Sequence, residues 1–330
     1  MTHTLETFLV LGVSALALAA CGDADTVIDT AESEVVATQV ETSNEMAANF
    51  QSAVSVSDDQ LLDEPFIYAV KDADSEIILY PTFHILPEGI DWKSERLDAA
   101  IARADEVWYE LPVGADTDPA LQGLVMELGM SETPLTERLS PEQAEAMKTK
   151  LEAIGIPLAM VEPMQPWFAA INIPVVQMMQ AGYNPMLGVE SQLQQVTGGK
   201  GQRAFETAEQ QLRFFADLPE DKQVEYLMAT LEDAEEGMAL MDAMAAAWAS
   251  GDMEVLENEF IAEMRDETPE LYDVLIVKRN TDWAEQLDAE MKGEGVDFVA
   301  VGAGHLIGPD SVPAMMAAKG YDVEVLTLKE

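Results

Sequence analysis

The chain has 330 residues, with 62 acidic side chains against 17 Lys and Arg, and a formal net charge of −45 at pH 7. So negative a surface offers no cationic face to phosphates, which argues against nucleic acid as a partner and against docking on anionic lipid through a basic patch. There is one cysteine, Cys21, so no disulfide can form within the chain.

The first segment, MTHTLETFLVLGVSALALAACGDAD, holds an apolar run from Phe8 to Ala20. That is short of the roughly 20 residues a membrane-spanning helix needs, and it has the length of a signal-peptide core ending in small residues. Leu18-Ala19-Ala20-Cys21 resembles a bacterial lipobox, so residues 1–20 are expected to be a lipoprotein signal peptide with Cys21 as the lipidated first residue. The segment before the run carries His3 and Glu6 but no Lys or Arg, a departure from the usual positive start. The expected location is the cell envelope, facing the periplasm or exterior, with the membrane met only through the N-terminal lipid. Residues 21–62 are rich in Asp, Glu, Ala, Thr, Ser and Val, with no aromatic before Phe50. This composition predicts an acidic disordered tether. Residues 63–330 are then one large domain.

Within that domain, PFIYAV, KDADSE and IILYPTFH read as a hairpin around a polar turn. WKSERLDAAIARA has helical spacing at Leu97, Ile101 and Ala104, and EVWYELP is a strand stopped by Pro112. The centre is helical. Ser140-Pro141-Glu142-Gln143 is a helix start with a cap, a first-turn proline and a glutamine three residues after the cap. Met238, Met241 and Met244 follow helical spacing and read as a core stripe rather than a ligand groove. GQRAFETAEQQL reads as a short strand ending at Glu206 and passing into a helix. Toward the C-terminus come a helix over LIVKRNTDWAEQLDAEMKGEG, a strand over Phe298–Gly302, a helix closed by Gly320 and a last strand, YDVEVLTL. Strands separated by helices predict an α/β fold: a mostly parallel central sheet with flanking helices and a large helical middle segment.

Three segments place a titratable residue at the carboxyl end of a predicted strand: His84, Glu110 and His305. Glu206 is a fourth. Ligands bind outside those ends in open α/β sheets. The chain has only three histidines and His3 lies in the predicted signal peptide, so both remaining histidines fall at such ends. Gly302 and Gly304 frame His305 and are expected to allow positive φ or close backbone approach to a ligand. The next helix start, near Gly308–Ser311, is expected to aim free N–H groups at the same mouth. There is no HExxH or CxxC motif, no phosphate loop and no G-x-S-x-G elbow.

These segments resemble the TraB/PrgY/GumN family, which includes the Tiki metalloproteases and carries two GxxH motifs with acidic residues between them. The second motif is Gly302–His305, within FVAVGAGHLIGPDSVPAMMAAKGYDV. The first is Pro81-Thr82-Phe83-His84, where Pro81 stands in place of glycine. EVWYELP matches the strand ending in the family's glutamate, here Glu110. MQPWFAA resembles its P-W helix. GVESQL and FETAEQQL resemble a further segment, with Glu190 where aspartate is usual and with Glu206 and Gln210 retained. VKRNTDWAEQL supplies Arg279, Asn280 and Trp283. The resemblance implies a lipoprotein-type bacterial member with a fold like that of Tiki and the erythromycin esterases.

The resemblance also implies a metal-dependent, peptidase-like hydrolase acting on a peptide or small molecule. His84, His305 and Glu110 would hold a divalent ion such as Mn²⁺ or Co²⁺, and Glu110 or Glu206 would serve as base. Arg279 would act on the oxyanion or on a substrate carboxylate, with an internal ion pair as the alternative; Asn280, Gly302 and Gly304 would contact substrate. Two other readings stay open: a metal-free His/Glu hydrolase, and a non-catalytic lipoprotein that binds peptide, haem or metal.

Overall fold

Two β-rich runs open the described part of the protein, which in this computed structural model comprises residues 64–115, 118–232 and 237–326. The expected signal peptide, Cys21 and the whole of the acidic tether lie outside the described residues. Strands β1 (Tyr68–Lys71) and β2 (Ser75–Thr82) form the expected antiparallel hairpin. The Asp72 carboxylate closes the turn by accepting the N–H groups of Asp74 and Ser75. After a two-residue strand β3 (Leu86–Pro87), helix α1 (Glu95–Arg103) starts on Ser94, whose hydroxyl accepts the Leu97 N–H at 3.1 Å. The chain then enters β4 (Glu106–Tyr109).

The middle is helical, as the sequence predicts: α2 (Pro119–Gly129), α3 (Pro141–Ala153) and α4 (Pro166–Gln180) lead to a short strand β5 (Tyr183–Asn184). Helix α3 carries the capping box read from Ser140 and Gln143. Helix α5 (Val189–Thr197) and strand β6 (Gly201–Ala204) follow, then α6 (Ala208–Ala216), α7 (Glu220–Glu232) and α8 (Gly237–Ser250). Trp167 stacks on Phe215 at 6.2 Å, in a core that α2, α3, α4, α6 and α7 share away from the sheet. On α8, Met241 and Met244 are buried and Met238 packs partly buried on the same core, so the methionines are a packing stripe.

Helix α9 (Lys278–Glu290) leads into β7 (Gly295–Gly302), and helix α10 (Val312–Ala318) into β8 (Asp322–Val325). Two π-helical turns, Glu257–Ile261 and Asp273–Val277, precede α9. The six-stranded sheet has the order β6-β4-β7-β2-β1-β8. Strands β6, β4, β7 and β2 run parallel to one another, and β1 is antiparallel to both β2 and β8. The expected mixed α/β architecture with a mostly parallel central sheet is therefore present. Phe298, Val299, Ala300 and Val301 are all buried, the continuous apolar run of a central strand covered on both faces. Burial of each large side chain contributes about 1.5–3 kcal/mol.

One pairing was not expected. The elements β2, α1 and β4 follow one another in the chain, yet β7 inserts between β2 and β4. Its register runs Thr82 to Gly302 on one side and Tyr109 to Ala300 on the other, which brings the carboxyl ends of β2, β7 and β4 to one edge. Pro81 fits within β2. The β1 ladder ends at the Tyr68–Leu79 pair, so the missing Pro81 N–H lies beyond it, and the Pro81 carbonyl accepts the Trp248 indole N–H at 3.1 Å. Among the described residues, no helix is long and apolar enough to cross a membrane.

Candidate functional site

The parallel register sets where the four strand-end residues lie. His84 is two residues past β2, Glu110 directly follows β4, His305 is three past β7 and Glu206 two past β6. The sheet brings all four to its carboxyl edge. His84 Nε2 lies 3.8 Å from Glu110 Oε1, and His305 Nε2 lies 4.0 Å from the same oxygen. Glu110 Oε1 also accepts the Gly302 N–H at 2.7 Å. His84 Nε2 is buried and has no hydrogen-bond partner.

Each imidazole is held from its other nitrogen. His84 Nδ1 lies 2.6 Å from Glu190 Oε1, on the first turn of α5. His305 Nδ1 lies 2.6 Å from Asn280 Oδ1, on α9. The Asn280 amide nitrogen donates to the carbonyls of Asp310 at 2.7 Å and His305 at 3.4 Å, which fixes its oxygen toward the imidazole. The Trp283 ring packs on the His305 ring at 4.3 Å.

The two histidines differ electrostatically. Burial pushes His84 down, but the Glu190 carboxylate, with Glu110 behind it, outweighs that and holds its pKa above the usual value. Glu190 is held below the carboxylate range: burial would raise it, and the His84 ring beside it outweighs burial. Burial, then the positive Arg279, press His305 well below the ordinary histidine value, so it stays neutral.

Arg279 lies beneath this edge with its donors already engaged. Its Nε meets Glu206 Oε1 at 2.8 Å, and its Nη2 meets Glu110 Oε2 at 2.6 Å and Glu206 Oε2 at 3.0 Å. Nη1 points to the Leu275 carbonyl at 3.4 Å, a group in the second π-helical turn. Glu206 also accepts from the Trp283 indole at 2.9 Å and the Gln211 amide at 2.9 Å. The structure thus places Arg279 and Glu206 in a buried ion cluster below the histidines, with Glu110 shared between cluster and crevice. Asn280 is occupied by His305 and Asp310.

Two readings of the second motif need correction. Neither Gly302 nor Gly304 adopts a positive φ. Gly304 is required by space, because a Cβ there would meet the Phe260 ring at 2.5 Å. The helix after the motif does not present a bare N-terminus, since Ser311 caps it with its hydroxyl toward the Ala314 N–H.

Residues that the strand-end pattern did not single out are Glu190, Gln211 and the ring of Trp283. They reach the edge from helices, and only the resemblance drew Glu190 and Trp283 to notice. Beside the carboxyl ends of β4 and β6 lies an open cleft of about 480 Å³, lined by Pro112, Leu121, Leu124, Thr207 and Glu209 among others.

A model of the TraB/PrgY/gumN family matches residues 66–325, a span that contains both histidine loops and every residue of this edge. The chain belongs to the TraB/PrgY/gumN family. No curated protein and no solved structure gives a significant match. For this TraB/PrgY/gumN member the family span begins just before β1 and ends at the last residue of β8, so it coincides with the sheet and everything between its outer strands.

The donor types at this edge are ones that divalent cations take. Two imidazole nitrogens and one carboxylate oxygen suit several such ions, and the buried, unpartnered His84 Nε2 is a donor without a use inside the protein. Among the described residues no group of three His, Cys, Asp or Glu side chains is arranged to hold a metal ion. The separations of 3.8 and 4.0 Å are somewhat wider than the roughly 3.4 Å between ligands of one tetrahedral zinc-like ion.

Proposed function

We propose that this TraB/PrgY/gumN member is a hydrolase of the cell envelope that activates water between His84, Glu110 and His305. Its substrate class is a peptide or a small molecule with a comparable carbonyl bond. The observation that carries the reading is the convergence of two imidazole Nε2 atoms on one carboxylate oxygen, at 3.8 and 4.0 Å, with His84 Nε2 otherwise unpartnered. A bound divalent ion such as Mn²⁺ or Co²⁺ would lower the pKa of its water toward neutrality. His84, His305 and Glu110 would hold it.

The protein's own groups have separable tasks. Glu110 Oε1 keeps one lone pair on the Gly302 N–H and turns the rest of its density to the crevice. Arg279, itself held by Glu206, offsets the charge of Glu110 and orients it from below. With no ion bound, His84 would be the proton acceptor, because Glu190 offsets the charge that forms on its ring. His305 stays neutral and contributes a nitrogen lone pair. The cleft beside β4 and β6 offers room for the flank of a substrate. Envelope anchoring through Cys21 is supported by the lipobox-like Leu18–Cys21.

The Glu190–His84 pair favours a second reading, a metal-free hydrolase. A carboxylate 2.6 Å from Nδ1 and a bare Nε2 form the usual arrangement of a general base. Titration of the full chain with Mn²⁺ or Co²⁺, followed by calorimetry and elemental analysis, separates the two. The metal reading expects one ion per chain, lost in His84→Ala and His305→Ala. A fully active sample with no stoichiometric metal and no response to chelators would remove it and leave the metal-free reading.

A further inference from the structure

We infer that Glu190 and Asn280 are paired positioning residues that commit both histidines to the Nδ1–H tautomer, so that both Nε2 lone pairs face Glu110. The geometry leaves each ring little choice. Glu190 Oε1 is in close contact with His84 Nδ1 at 2.6 Å, without a well-aligned hydrogen bond between them; a carboxylate only accepts, so the contact favours the proton on that nitrogen. The Asn280 amide nitrogen is spent on two carbonyls, so its oxygen faces His305 Nδ1 and that nitrogen also carries a proton. In the neutral rings Nε2 is then bare at both sites. Three acceptor atoms consequently face one another across 3.8 and 4.0 Å, an arrangement that calls for a proton donor or a cation in the gap.

Glu190 sits on the far side of the His84 ring from the crevice, so it orients the ring and does not share the ligand position. Its placement is built into the backbone. The Val189 N–H donates to the Phe83 carbonyl at 3.0 Å, and any Cβ at Gly188 would lie 2.0 Å from the His84 carbonyl oxygen. The start of α5 is therefore pressed directly against the first histidine loop, and Glu190 arrives at Nδ1 because the residue two positions earlier is glycine. Partners of this kind fix the tautomer and orientation of a ligating histidine.

The catalytic significance rests on the proposed function, but the tautomers do not, so the two can fail separately. The test is a long-range ¹H–¹⁵N correlation spectrum of the histidine rings in the full chain, at a pH where each ring is neutral. The three histidines are assigned with His84→Ala and His305→Ala. The expected result is a protonated Nδ1 and a bare Nε2 for both His84 and His305. Glu190→Ala should release His84 into a mixture of tautomers, and Asn280→Ala should do the same to His305. Glu190→Gln and Asn280→Asp keep an acceptor oxygen and should restore the wild-type pattern, which controls for misfolding. Affinity for Mn²⁺ should fall about 10- to 100-fold in the alanine variants and recover in the conservative ones. An Nε2–H tautomer in the wild type, or an unchanged tautomer in Glu190→Ala and Asn280→Ala, overturns the inference. Correct tautomers with no Mn²⁺ binding and no hydrolysis in any form support the positioning and remove the hydrolase reading.

Discussion

Arg279 shows how single residues divide between holding the edge together and acting at it. Its guanidinium is buried against Glu110 and Glu206, and the two carboxylates keep its charge more strongly bound than in water despite burial. Arg279→Met would leave two buried carboxylates facing each other without a counter-charge. Unfolding by urea should show a loss of about 3–5 kcal/mol. A loss below about 1 kcal/mol would mean that the cluster is solvated rather than sealed. Asp297, on β7, gives a separate prediction. Burial, then Glu290, lifts its pKa to about 6. A carboxyl whose pKa is higher in the folded than in the unfolded state binds more protons when folded. Its burden on stability is therefore absent below about pH 4 and complete above about pH 6. Discounted for partial exposure, Asp297→Asn should stabilise by about 1 kcal/mol at pH 7.5 and by almost nothing at pH 4. Thermal melts at the two pH values check this, and an equal gain at both would contradict it. His84, Glu110, His305 and Glu206 were legible because a strand end announces itself in sequence. Glu190 was not legible on that basis, because it arrives from the first turn of a helix and reaches His84 through tertiary packing.

At the scale of elements, the strands and helices were readable from period and caps, while the pairing was not. The sequence shows β2, α1 and β4 as neighbours in the chain. It carries no local sign that β7, almost 190 residues after β4, slides between β2 and β4. That insertion is what brings the His305 loop to the same edge as His84 and Glu110. The two π-helical turns before α9 were also invisible, since one extra residue in a turn leaves no periodic mark. The second of them supplies the Leu275 carbonyl under Arg279. Pro81 is an element-scale matter as well. It occupies a regular strand position beside Val301 and receives the Trp248 indole through its carbonyl. Pro81→Gly should therefore leave Mn²⁺ affinity unchanged and cost roughly 0.5–1 kcal/mol through the greater freedom of the unfolded chain. A tenfold change in affinity would show that Pro81 shapes the site. Gly188→Ala should act in the opposite way. Its Cβ cannot coexist with the His84 carbonyl, so affinity should drop together with about 1–3 kcal/mol of stability.

For the whole molecule the governing quantity is a net charge of −45. Among the described residues only Glu64, Glu110 and Glu206 of the acids are buried, and the others repel one another over a range that salt shortens to about 10 Å at 0.1 M. Raising NaCl from about 10 mM to 0.5 M should raise Tm, by roughly 2–4 °C for each kcal/mol of repulsion removed. A Tm that falls with salt would show that the exposed Lys and Arg pairs outweigh the repulsion. The buried Arg279 cluster is shielded from this effect, so site geometry and global stability should respond to salt independently. The central claim is that the edge shared by His84, Glu110 and His305 is where the molecule does its chemistry. The direct measurement is hydrolysis of a diverse peptide set by the full wild-type chain, His84→Ala and His305→Ala, each verified as folded by circular dichroism. The account predicts cleavage by the wild type and a loss of at least about 100-fold in both variants. Equal cleavage by all three proteins would contradict it.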